Sequence, residues 1–213
     1  MRIDRPRFLA REDIIWDVLP AKFDEGAFLG NGLLGSTIYR DGDHRVRWEM
    51  GRSDVTELRR DNARLPIGGL ILTTVGKIEG GNMRLDLWNA EVRGEIKTDK
   101  GTVCFRSFIH SDGIALFTDL ETTAGEEGAK FAWEARPAVD RVNKQPANEA
   151  NPAPRSEYVD GIAVCEQPRF AGGAFATVWC EVPADRGRRV GLSIADTFPG
   201  NTAAARPRKR PPR

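Results

Sequence analysis

Gly30-Asn-Gly-Leu-Leu-Gly35, continued by Ser36-Thr-Ile-Tyr39 and Arg40-Asp-Gly-Asp-His44, is the stretch that separates two fold classes. Its first six residues fit G-x-G-x-x-G, the dinucleotide-binding fingerprint. That motif works only where a strand precedes the glycines and a helix follows them, so that the helix N-terminus meets a pyrophosphate. Here the residues after the third glycine alternate apolar and polar with a period of two, which is a strand. Asp41-Gly42 then supplies the positive φ of a tight turn, and Arg45-Val-Arg-Trp-Glu-Met50 alternates again. The segment reads as a β-hairpin. Asp54 sits near the acidic position of a nucleotide site, but Trp48-Glu-Met-Gly-Arg-Ser-Asp54 does not end a βαβ unit, and the nucleotide reading is set aside. The glycines read instead as a bend that lets backbone approach backbone.

The same period recurs at 69–75, 102–110, 114–120, 130–135, 157–166, 173–182 and 189–195. Ser111-Asp112-Gly113 marks a second hairpin, and Thr98-Asp-Lys-Gly101 a reverse turn. In Met83 to Ile96 the apolar positions Met83, Leu85 and Leu87 give way to Trp88, Ala90, Val92 and Ile96. That change of face predicts a bulge, or a strand crossing between sheets. Asp54-Val-Thr-Glu-Leu-Arg-Arg60 predicts one or two helical turns capped by Ser53 or Asp54. Residues 140–155, with three prolines and three asparagines, predict a long exposed loop. About ten or more strands with little helix give an all-β fold, a large antiparallel β-sandwich.

The 213 residues carry 40% hydrophobic side chains, enough for a core, and 30% charged ones. Lys+Arg 32 against Asp+Glu 31 gives +1, which argues against a broadly basic nucleic-acid binder. No apolar run reaches the roughly 18 residues of a membrane-spanning helix, and no secretory signal is visible at the start. Neither a nucleic-acid nor a membrane partner is expected. Cys104, Cys165 and Cys180 show no paired spacing and read as buried free thiols, with a Cys165–Cys180 bridge open only if their strands are neighbours. With His44 and His110 the only histidines, no metal site and no cofactor is expected.

Pro20, Gly30-Asn-Gly-Leu-Leu-Gly-Ser36 and Trp48-Glu-Met-Gly-Arg-Ser-Asp54 together resemble the N-terminal domain of family 95-like glycoside hydrolases, relatives of α-L-fucosidases. Leu65-Pro-Ile-Gly-Gly-Leu70 and Met83-Arg-Leu-Asp-Leu-Trp-Asn-Ala-Glu-Val-Arg-Gly-Glu-Ile-Lys-Thr98 are similar to the same family's sheet pattern. The likeness covers roughly 14–200 and is strongest over 30–110. It implies an N-terminal arm over 1–13, a β-super-sandwich over 14–200 and a disordered tail over 201–213. In the family the sandwich precedes a linker and an (α/α)6 barrel that holds the catalytic groups. No catalytic residue carries over to this chain, which is expected to be a non-catalytic part of an enzyme acting on α-L-fucosyl-type oligosaccharides. The implied partners are the catalytic barrel and, weakly, carbohydrate. The ending Arg206-Pro-Arg-Lys-Arg-Pro-Pro-Arg213 departs from the family pattern. It reads either as the remnant of a shifted reading frame in a truncated gene or as a basic tail binding anionic partners weakly.

Asn31, Trp48, Arg52 and Asp54 are the candidate substrate-rim residues. Asn31 lies between glycines, where backbone comes close to a partner. Arg52 and Asp54 offer a donor and an acceptor for sugar hydroxyls, unless they pair with each other or cap a turn. Trp16, Trp48, Trp88, Trp133 and Trp179 lie in strand-like runs and read as core before sugar platform, Trp48 least firmly because Arg47 and Glu49 flank it. Asp86 and Glu91 read as solvated strand carboxylates. A stand-alone carbohydrate-binding or structural sandwich is the alternative.

Overall fold

Alternating apolar side chains give each strand one dry face, and two sheets bury those faces against each other. A computed structural model of the protein describes residues 4–57, 59, 63–140 and 147–197. Among these, a helix α1 (Arg5–Leu9), capped by Asp4, leads into the edge strand β1 (Ile14–Trp16). Strands β2 (Ala27–Gly30), β3 (Leu34–Arg40), β4 (Arg45–Arg52) and β5 (Gly68–Thr73) form a meander. A second meander comprises β6 (Ile78–Asp86), β7 (Glu91–Thr98), β8 (Thr102–Ile109) and β9 (Ala115–Thr122). Strand β10 (Lys130–Ala135) returns to pair with β5. The chain closes with β11 (Arg155–Val159), β12 (Ile162–Pro168), β13 (Ala174–Pro183) and β14 (Arg188–Asp196).

The result is the all-β sandwich that the alternation predicts. One antiparallel sheet has nine strands in the order β1-β6-β7-β8-β9-β14-β13-β12-β11, the other five in the order β10-β5-β4-β3-β2. The smaller sheet runs from β2, which faces β6, β7 and β8, to β10, where Ala129 just ahead of the strand accepts a hydrogen bond from Arg188 of β14. Strands β13, β12 and β11 follow β14 in the larger sheet, and of these β13 still contributes Phe175 to the shared core. No helix among the described residues is long and apolar enough to cross a membrane.

Trp48 fills the centre and has no exposed area. Its ring meets Phe105 (5.1 Å, 73°) and Phe131 (5.7 Å, 67°) edge-on, and its Nε1 donates to Ser107 Oγ at 2.9 Å. Ser107 in turn lies 3.0 Å from Thr118 Oγ1. A buried polar thread thus crosses from β4 to β8 and β9. Trp48 is therefore a core residue and offers no face to a sugar.

Several local expectations change. The face switch in Met83 to Ile96 is neither bulge nor crossover. β6 and β7 are a hairpin in one sheet, Asp86 opposite Glu91, and Leu87 to Ala90 are its turn. Ala90 takes φ 53°, the Asp86 carboxylate accepts from the backbone and side chain of Asn89, and Trp88 stands half-exposed at the tip. The stretch 157–166 is two strands, because Asp160 (φ 50°) and Gly161 (φ 82°) make a tight turn between β11 and β12. Thr56 bridges Arg64 where helical turns are predicted, and Asp54 pairs with Arg52. Residues 58 and 60–62 of that segment, 141–146 of the predicted loop and all of 198–213 lie outside the described residues. The flanks of the loop are not exposed throughout: Asp140 is buried, and Asn151 donates to Ala138 O at 2.7 Å.

Ser107→Ala leaves the Trp48 N–H without its acceptor in a dry core, an expected loss of about 1–3 kcal/mol in urea unfolding. A loss near zero would show that the indole does not depend on this bond.

Candidate functional site

Three of the four rim candidates gather at one end of the sandwich, and their polar atoms are spent inside the fold. Asn31 Nδ2 donates to His110 O and Gly113 O, both at 2.9 Å, while its Oδ1 accepts from Leu33 N (3.1 Å) and Leu34 N (2.9 Å). This side chain ties the β2–β3 loop to the β8–β9 turn. Arg52 grips Asp54 through two bonds of 2.6 and 2.8 Å and also donates to Ile194 O. Those bonds from Arg52, with its charge and that of Arg169, hold the Asp54 carboxyl below its ordinary range. The pairing of Arg52 with Asp54 weighed in the sequence is thus the one formed. Arg169 grips Asp196 in the same bidentate way, 2.6 and 2.9 Å, with both side chains nearly dry.

A large groove lies elsewhere, on the outer face of the five-stranded sheet. Register places Gly30 opposite Gly35 and Gly35 opposite Gly51, in phase opposite to the core residues Leu29, Leu34 and Met50. Three strands in a row therefore present bare backbone to the outside. The next row holds Phe28, Thr37 and Glu49, and the row after it Tyr39 and Arg47. Of these rows Phe28, Gly35, Thr37, Tyr39, Glu49 and Gly51, with Pro66 and Arg136, line a groove of about 560 Å³, and Gly30 lies beyond its edge; the volume is within the roughly 300–1,000 Å³ of small-ligand sites.

Packing does not require the three glycines. A Cβ on Gly51 would meet nothing within 4 Å, and on Gly35 or Gly30 nothing nearer than a backbone oxygen at 3.6 or 3.5 Å. None of them has positive φ. Their neighbours contrast: a Cβ on Gly69 would strike Arg47 at 2.9 Å, and one on Gly26 would strike Thr37 at 2.5 Å. Each glycine inside a strand costs roughly 0.5–1 kcal/mol against alanine, so the bare row is a standing cost with no structural return.

The walls are amphipathic. Phe28 is 55% exposed, and Phe23 packs edge-on to Tyr39 with ring centres 6.2 Å apart. Burial, then the neighbouring Glu49, holds the Tyr39 phenol above its usual range, so it stays neutral. Glu49 accepts from Nε and Nη2 of Arg136 and lies 3.5 Å from Arg47. Arg47, almost fully buried, is itself held by Asp41 (2.9 Å) and Glu134 (2.6 Å).

A smaller hollow of about 360 Å³ lies on the outer face of the nine-stranded sheet. Register aligns Arg84, Arg93, Arg106, Asp119 and Arg189 there. Asp119 is bonded by Arg189 and Arg106. Glu91 accepts from Arg93 and Arg106 and is buried, not solvated as its sequence suggests. Cys104 opens on this face, so only Cys165 of the three thiols is fully buried; partial burial and the flanking Glu95 and Glu121 push the Cys104 thiol up. Cys165 pairs in register with Thr177, which leaves Cys180 three residues along and facing the other way, so no bridge forms. Of the remaining tryptophans, Trp16, Trp133 and Trp179 are partly buried against the core. Among the described residues no group of three or more His, Cys, Asp or Glu is placed to hold a metal ion.

No family model matches the chain, and no curated protein matches it.

Near the same end, Glu57 is a carboxylate with no exposed area. Arg59 binds it through Nε (2.8 Å) and Nη2 (3.0 Å), and Arg59 also donates to Glu149 O and covers the Phe170 ring. The Arg59 bonds outweigh burial and lower the Glu57 pKa from 4.5 to about 2. A depressed carboxylate stabilises the fold fully above its unfolded pKa and loses that stability as pH falls through the folded value. Stability is therefore expected to drop between pH 4.5 and about 2, by roughly 3 kcal/mol from this group. Glu57→Gln should be less stable at pH 7 and lose less on acidification. Parallel pH profiles for the two proteins would refute this.

Proposed function

We propose that this chain is the non-catalytic N-terminal sandwich of a glycoside hydrolase acting on α-L-fucosyl-type oligosaccharides, and that it does not hydrolyse them by itself. One observation carries the reading: among the described residues Glu49 is the sole carboxylate lining the large groove, and Arg136 already engages both of its oxygens. Inverting hydrolysis needs two carboxyl-type groups roughly 6.5–9.5 Å apart across the scissile bond, one of them free to give a proton. Asp86 and Glu91, though opposite in register, answer to different partners, Asn89 for the first and Arg93 with Arg106 for the second. The resemblance of the motifs in 20–98 to family 95-like glycoside hydrolases is what supports the substrate class.

The exposed edge of the larger sheet supports a second body. Every residue of β11 is exposed, and Tyr158, Val159 and Ile162 present apolar surface at its turn. In the proposed enzyme the catalytic barrel covers such surface. The alternative is a stand-alone carbohydrate-binding domain, favoured by the exposed Phe28 ring beside the glycine row.

With an aryl α-L-fucoside as substrate, the chain is expected to give no turnover above the uncatalysed rate. Robust turnover that Glu49→Gln abolishes would overturn the non-catalytic reading.

A further inference from the structure

We infer that Gly35 and Gly51 are the floor of a binding site for one ring of a neutral saccharide, with Phe28 as its stacking wall and Thr37, Glu49 and Arg136 as its hydrogen-bonding edge; Gly30 continues the same bare row past the edge of the groove. The inference deepens the carbohydrate reading above and rests on it for the class of ligand.

Three in-register glycines that neither φ nor packing requires make a flat strip where a ligand reaches the backbone directly. A pyranose has the matching form, with an apolar face and a rim of hydroxyls. Its apolar face meets the strip and the exposed Phe28 ring, and its rim meets the row of Thr37 and Glu49 and the Arg136 guanidinium. The charge in the groove decides against an ionic ligand. Among the described residues one carboxylate and one guanidinium line it, and they are bonded to each other. An anion would have to displace Glu49 from Arg136, and a cation the reverse, whereas hydroxyls accept and donate to the pair without breaking it. Tyr39, kept neutral, bounds the same wall.

The test is binding of the intact chain to an array of neutral, sialylated and sulfated oligosaccharides, followed by titration of the best neutral glycan against Gly51→Val and Phe28→Ala. Gly51→Val fills open space on a strand, so its Tm is expected to hold or rise while glycan affinity falls at least tenfold. Phe28→Ala should weaken binding to a similar degree. Binding confined to acidic glycans, no binding at all, or affinity untouched by both variants would overturn the inference. Should Gly51→Val not fold, Phe28→Ala decides: tenfold weaker binding upholds the site and unchanged binding removes it. A neutral glycan without fucose that binds here keeps the site and refutes the fucosyl reading. Turnover of the aryl fucoside would refute catalytic silence and leave the site standing.

Discussion

The indole of Trp48 governs how the two sheets meet. It is the largest fully buried side chain and brings one N–H into a place without water. That donor must find an acceptor across the interface, and Ser107 supplies it while sharing its own hydroxyl with Thr118. Hydrophobic burial alone would tolerate a sliding of one sheet over the other. The hydrogen bond, with Phe105 and Phe131 against the ring, fixes a single placement. A slip of one residue in β4 would turn the indole outward and bring Arg47 and Glu49 into the core.

Because Trp48 points in, its neighbours point out, and the outer face of the smaller sheet inherits their charge. Arg47 is nearly dry there only because Asp41, Glu49 and Glu134 surround it. A buried arginine without such company would be untenable. The same placement leaves Glu49 within reach of Arg136 and sets the glycine row beside the pair. The groove's chemistry therefore follows from the core's: alternation imposes which side chains meet outside once the indole has chosen its side.

Much of the fold is legible in the residues. Asp41-Gly42 specifies its hairpin because only the turn's positive φ explains a glycine between two alternating runs, and Gly42 adopts φ 99°. Asp160-Gly161 carries the same signal yet hides inside what reads as one apolar run. Leu87 to Ala90 mislead for another reason. A four-residue turn shifts the alternation as a bulge does, and its apolar Trp88 looks like a strand residue while standing half-exposed. The internal bonding of the rim candidates is not legible because a sequence does not show which polar atoms are already taken. Asn31 and Arg52 have the right chemistry, but their hydrogen bonds are internal. The groove escapes notice because its marker is an absence of side chains, and register across three strands is needed to see that Gly30, Gly35 and Gly51 adjoin.

The unequal width of the sheets grades the molecule's resistance to opening. Strand β11 is held by its pairing with β12, its side chains all lie in water, and its other edge pairs with no strand among the described residues. Its amides open at little cost, whereas those of β4 and β8 flank the buried indole and open only when the whole sandwich comes apart. Hydrogen exchange would therefore run inward from β11 through β12, a fraying margin attached to a rigid centre. Arg155 and Glu157 place opposite charges along that margin, which discourages it from zipping onto the margin of another copy.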